Sequence, residues 1–194
     1  MTRTVQRMRR SVLTLVGALL LSLSTGAIAA APQVKFQTTL GEFVVEVYPD
    51  KAPKTVENFL QYVKDKHYDG TIFHRVISGF MVQGGGYIFS LSEKSTRGPI
   101  PLDASNGLTN DRGTIAMART GNPISATSQF FVNVVDNPGL NAPKPDGHGY
   151  AVFGKVISGM DVIDKIRNAP TTSKGMFQNL PVTPIIINSA TLAK

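Results

Sequence analysis

The sequence predicts a mainly-β domain: about eight short strands closed into an antiparallel barrel, with two α-helices as caps. Three observations predict it. Short apolar runs recur along the chain, punctuated by Gly, Pro, Asn and Asp, which is the signature of strands joined by tight turns. Only two stretches carry apolar residues at helical spacing. No repeat, low-complexity tract or second domain intervenes.

The elements follow in order. Val34 to Leu40 alternates loosely, Gly41 turns, and "EFVVEVY" (Glu42 to Tyr48) continues, so the pair reads as a hairpin that Pro49-Asp50 closes. Pro53 suits the first turn of a helix. Val56, Phe59, Leu60 and Val63 then supply its apolar stripe, with an end near Lys66 and a turn at Asp69-Gly70. Ile72 to Val76 and Phe80 to Gln83 are short strands around Ser78-Gly79. Gly84 to Gly113, rich in Gly, Ser, Asn and Pro, is expected to be mostly irregular, and so long a loop in a compact domain points to function. "TIAMA" (Thr114 to Ala118) and "FFVNVV" (Phe130 to Val135) are strands flanking the polar loop "RTGNPISATS". Asn137 to Gly149 is a second irregular loop with three Pro and three Gly. "YAVFGKVI" (Tyr150 to Ile157) is a buried strand, Gly159 to Asn168 a helix with Met160, Ile163 and Ile166 on one face, and "PIIINSATL" (Pro184 to Leu192) the last strand.

Residues 1–29 stand apart. Arg3, Arg7, Arg9 and Arg10 form a positive n-region, Val12 to Leu23 is apolar, and Ala27-Ile28-Ala29 is a small-x-small site. This is the layout of a secretory signal peptide, cleaved near Ala29/Ala30, with the functional domain on 30–194. The apolar run is shorter than the roughly 20 residues a bilayer span needs, so no membrane association is expected after cleavage. The chain carries +7, but four of those charges are arginines of this segment, leaving +3 on the mature domain. The high pI is therefore no argument for nucleic-acid binding. With no Cys, an exported domain has no disulfide framework and no lipoprotein anchor, and its stability rests on its core. Export without disulfides favours a bacterial periplasm, full secretion remaining open.

The chemistry narrows by exclusion. The three histidines, His67, His74 and His148, share no metal-ligand spacing, and there is no Cys, so no metal is expected. No G-x-S-x-G nucleophile motif occurs. Gly84-Gly85-Gly86 lacks the Lys-Ser/Thr of a phosphate loop, and tight backbone packing explains it better. His74 beside Arg75 reads as structural rather than as a base. Arg75 is harder to place, being a cation within the apolar "TIFHRVISGF". Phe130 and Phe131 must point to opposite faces of their strand, so one can fill a core and the other a surface pocket. Gln83 and Gln129 add polar groups beside such rings, the usual form of a ligand site.

"GTIFHRVISGFMVQGG", "RGTIAMAR", "SATSQFFVN" and "YAVFGKVISGMDVIDKI" resemble the cyclophilin-type peptidyl-prolyl cis-trans isomerases, the bacterial periplasmic ones most, over Val34 to Leu192. The resemblance implies an eight-stranded barrel with the active site on its outer face. It implies Arg75 as the catalytic arginine, acting with Phe80 and Gln83. Met81 and Phe131 are similar to the walls of the proline pocket, with Leu140 on its rim. Gln129 and the backbone at Arg119 resemble groups that hold the peptide, and Ala118 and Thr120 line the adjoining groove. Tyr150 stands where many relatives carry His. Gly139 stands where they carry an aromatic, so a more open rim and weak binding of cyclosporin-type inhibitors are expected. The implied ligands are proline-containing polypeptides, bound by a monomer without cofactor or metal. The competing reading is a non-catalytic proline-peptide chaperone using the same groove.

Overall fold

In the strand Gln33–Thr38 (β1), Val34, Phe36 and Thr38 face inward while their neighbours are more exposed, and Gly41–Val47 (β2) repeats the pattern with Phe43, Val45 and Val47. This two-residue period lets one face of each strand build a core. The computed structural model describes residues 30–193; the segment read as a signal peptide, 1–29, lies outside them. Further along are α1 (Pro53–Lys64), β3 (Thr71–Ile77), β4 (Met81–Ile88), β5 (Thr114–Met117), β6 (Phe130–Asn133), a 3-10 turn at Pro138–Leu140, β7 (Val152–Ser158), α2 (Met160–Arg167), β8 (Thr171–Lys174), β9 (Phe177–Pro181) and β10 (Ile187–Leu192).

Eight strands form one antiparallel sheet in the order β10-β1-β2-β7-β5-β6-β4-β3. Its two ends meet. Ile72 bridges Ile186, the Phe73 N–H donates to Ile185 O at 3.0 Å, and the Gly70 N–H donates to Ile187 O at 2.8 Å. The sheet is thus a nearly closed barrel, as expected, with few unpaired edge groups left. Inside it Phe36, Phe43, Phe73, Phe130 and Phe153 are fully buried, and Phe59 enters from α1. Phe36 stacks on Phe43 at 4.8 Å and Phe59 tilts against Phe153 at 4.9 Å. Large rings dominate such a core because each removes much apolar area from water. Helix α2 buries Val162, Ile163 and Ile166.

Three features depart from the expectation. The three glycines continue β4, which runs on to Ile88 instead of breaking at Gln83. Gly85 has φ +88, and a Cβ there would lie 2.9–3.0 Å from the rings of Tyr68 and Phe130. Only Gly meets both conditions, so the triplet lets the strand pass close over the aromatic core. Second, β8 and β9 form an additional hairpin that the sequence reading did not contain. Its two-residue turn has Gly175, φ +57, as first central residue, the arrangement of a type II′ turn. The strand "TTSK" is wholly exposed and polar, so no apolar alternation announces it. Third, much of the long loop before Gly113 does structural work. The Oδ2 of Asp103 accepts from the Thr55 N–H at 2.8 Å and from its hydroxyl at 2.9 Å, capping α1, whose own N-cap Ala52 offers no side-chain acceptor.

Candidate active site

Residues of the site stand on one cross-strand row. Arg75 on β3 pairs with Gln83 on β4, Gln83 with Phe131 on β6, Phe131 with Ala116 on β5, and Ala116 with Val152 on β7. Residues opposite one another in an antiparallel sheet project to the same face. Phe130 belongs to the barrel core, so Phe131 and the whole row face outward.

Arg75 joins that row through a bulge. Phe73 pairs with Gly84 and Arg75 with Gln83, so β3 spends two residues where β4 spends one. The extra residue, His74, reverses the alternation. Without it Arg75 would share the inward face of Phe73, which is fully buried. Among the described residues the guanidinium makes one hydrogen bond, Nη1 to Gln83 Oε1 at 3.5 Å, at the outer limit of such a bond. Among the described residues no carboxylate pairs with it. Most of its five donors are therefore free for a ligand. Gln83 Nε2 donates to Gln129 Oε1 at 2.9 Å, fixing both amides beside the cation.

Next to Arg75 the outer face carries a second apolar cluster. Met81, Ala116, Phe131 and Val152 form its buried floor, and Phe80, Ala118, Leu140 and Tyr150 rise around it. The rim is held from outside. The Arg119 side chain is 1% exposed, because its guanidinium forms a two-point ion pair with Asp146 (2.8 Å each), donates to Gly149 O, and lies 4.4 Å over the Tyr150 ring. That arginine holds the Asp146 carboxyl down at about 2. Tyr150 in turn meets Phe131 edge-on at 5.7 Å. So the side chain of Arg119 serves the loop, and only its backbone is left for a ligand: among the described residues neither its N–H nor its C=O is hydrogen-bonded internally. Thr120 is exposed, with its hydroxyl bonded to Ser125 Oγ at 2.8 Å. A Cβ on Gly139, next to Leu140, would meet open space.

Sequence reading missed an asparagine relay beneath this rim. Asn133 Nδ2 donates to Asn110 Oδ1 at 3.1 Å. Asn137 Nδ2 donates to Asn133 Oδ1 at 2.7 Å and to Phe80 O at 2.8 Å, while the Asn110 N–H donates to Asn141 Oδ1 at 2.7 Å. It ties the turn bearing Leu140 to the backbone of Phe80. Four scattered asparagines carry no signal in sequence, since their link is tertiary. His74 is buried, its Nδ1 finds no partner among the described residues, and burial with the adjacent Arg75 charge pushes it down to about 4. It is neutral and packed on Tyr87 at 4.8 Å, which suits structure and not proton transfer.

A hydrogen-bond donor beside an apolar pocket, with no nucleophile, can hold a ring and stabilise charge on a neighbouring atom. Comparison with known proteins places the chain in a family. The family model for cyclophilin type peptidyl-prolyl cis-trans isomerases matches residues 33–192. The chain is 54% identical over 182 residues to a peptidyl-prolyl cis-trans isomerase of Acinetobacter baylyi, covering 94% of this chain and 95% of that one. It is 51% identical over 163 residues to peptidyl-prolyl cis-trans isomerase B of Escherichia coli, covering 83% and 99%. A crystal structure of a cyclophilin type isomerase from Cryptosporidium parvum in the presence of the dipeptide Ala-Pro superposes with a TM-score of 0.69 at 28% identity, covering 84% of this chain and 99% of that one.

Proposed function

The chain belongs to the cyclophilin-type peptidyl-prolyl cis-trans isomerases, and on that premise we propose that Arg75 is its catalytic residue and the outer apolar cluster its proline pocket. The reaction is rotation about the X-Pro bond. Amide resonance opposes it with a barrier of about 18–20 kcal/mol, so the uncatalysed event takes about 10–100 s. No bond is made or broken, which is why the site holds neither nucleophile nor general base.

Phe80, Met81 and Phe131 receive the prolyl ring, with Leu140 on the rim and Tyr150 backing Phe131. Arg75 donates to the prolyl nitrogen. That atom accepts well only when resonance is lost and its lone pair localises, in the twisted transition state. A donor that binds the transition state better than the ground state accelerates the step. Gln83 and Gln129 hold Arg75 and the peptide, the Arg119 backbone grips one side of the chain, and Ala118 and Thr120 line the groove beyond. The observation that carries this reading is a permanently charged side chain, turned outward by a bulge and left almost without internal partners, beside an apolar pocket. In a protease-coupled assay Arg75→Ala should lower kcat/KM by about 10²–10³, the usual effect of losing one transition-state donor. Turnover at the wild-type rate in the folded variant would refute the assignment.

The setting is proposed on sequence grounds. Residues 1–29 direct export, and the mature enzyme acts as a periplasmic monomer on proline-containing polypeptides that are still folding. It needs no cofactor. The open rim at Gly139 favours weak binding of cyclosporin-type inhibitors.

A further inference from the structure

A second cavity of about 230 Å³ adjoins Arg75. One wall is Arg75, Gln83 and Gln129, shared with the site above; the other is Met176, Phe177 and Gln178 at the turn of the β8–β9 hairpin. Its size is below the roughly 300–1,000 Å³ of small-molecule sites and suits a single side chain. The Gln83–Gln129 amide pair also borders the groove containing Arg119 and Thr120, so that pair divides two recesses, one on each side.

The hairpin wall is built to hold its position. Phe177 meets Tyr87 edge-on at 4.9 Å and His74 at 6.4 Å, with His74 against Tyr87 at 4.8 Å. This aromatic trio anchors β9 against β3. His74, 6% exposed and electrically neutral, lines the cavity beside Tyr87 and Phe177. Met176 at the turn is the opposite case: it is 83% exposed, the most exposed large apolar side chain among the described residues. An unbranched thioether over a ring-lined recess makes an adaptable contact for aromatic and long apolar groups.

We propose that this cavity is a specificity subsite for an aromatic or large apolar side chain of a substrate residue flanking the proline, on the side opposite the Arg119 groove, with Met176 as its closing contact. The inference rests on the assignment of Arg75 to the reacting bond, because a peptide seated on Arg75 must pass the cavity's shared wall. Arg75 at that wall disfavours Lys or Arg as the occupant.

The test is a set of proline peptides carrying Ala, Phe or Lys in turn at each of the two positions before and after the proline, assayed with the wild-type protein, Met176→Ala and Met176→Leu. The wild type should prefer Phe over Ala by several-fold in kcat/KM at one of these positions, chiefly through KM, and should disfavour Lys there. Met176→Ala should lose that preference, Met176→Leu should keep it, and both should still turn over the alanine peptide. Equal Phe/Ala ratios in the wild type and Met176→Ala at every position would overturn the subsite. Loss of the Arg75 assignment would show differently, as an Arg75→Ala variant still active on the alanine peptide.

Discussion

Arg75, Asp146 and His74 show how single side chains are set by their surroundings. Arg75 spends almost none of its hydrogen-bonding capacity inside the protein, whereas Arg119, of the same type, spends nearly all of it on Asp146 and Gly149. The first is poised for a ligand and the second for the loop over the pocket. Asp146→Asn should loosen that loop and raise KM several-fold with little change in kcat, which steady-state kinetics on a short proline peptide would read. Because the folded-state pKa of Asp146 is depressed to about 2, the ion pair is complete above about pH 4 and fails only as pH drops through 2. His74 works the other way about. Its folded pKa, about 4, lies below the unfolded value of about 6.5. The unfolded chain therefore binds more protons between these values, and stability is full above about pH 6.5 and is lost as pH falls towards 4. The loss should be on the order of 2–3 kcal/mol. His67, which burial also lowers, adds to it with the same sign. Urea denaturation from pH 7 to 4.5 should show this slope, and His74→Gln should flatten it.

Strands and loops carry the site because their registers do. A single extra residue in β3 turns Arg75 outward, and the row from Arg75 to Val152 then assembles across five strands. The glycines of β4 belong to the same arrangement. A Cβ on Gly86 would lie 2.6–2.7 Å from the Gln129 side chain, whose amide holds Gln83. Gly86→Ala should therefore displace Gln129 and raise KM while thermal unfolding moves little, as kinetics and calorimetry on one preparation would show. The capping of α1 from a distant loop makes a stability prediction instead. Asp103→Ala should cost about 1 kcal/mol, a typical value for a lost cap, with kcat/KM unchanged; an unaffected denaturation midpoint would contradict it. These elements also show what was legible. β1, β2, α1 and α2 announce themselves because one face of each is apolar at the right period. The β8–β9 hairpin does not, because β8 is exposed on every residue and β9 is fixed by tertiary contacts with Tyr87 and His74. The glycine triplet reads as loop because its strand conformation depends on rings that arrive from β3, β6 and the turn at Tyr68.

The molecule as a whole is a barrel whose inside supplies stability and whose outside supplies chemistry. Two adjacent phenylalanines state that division most simply: Phe130 fills the core and Phe131 the pocket. Sequence motifs pointed to Arg75, Phe80, Met81, Gln83, Gln129, Phe131 and Leu140, and the fold brings them to one face. The motifs could not reveal the asparagine relay or the Arg119–Asp146 clamp, since those links join residues far apart in the chain. The central claim is that Arg75 acts on the transition state of rotation and not on peptide binding. The most direct measurement is NMR exchange spectroscopy on a short X-Pro peptide, recording cis-trans exchange and binding shifts with the mature protein and with Arg75→Ala. The account predicts rapid exchange with the wild type, and with the variant near-normal binding but exchange slowed by about 10²–10³. Exchange and binding weakened together, or exchange unimpaired, would contradict it.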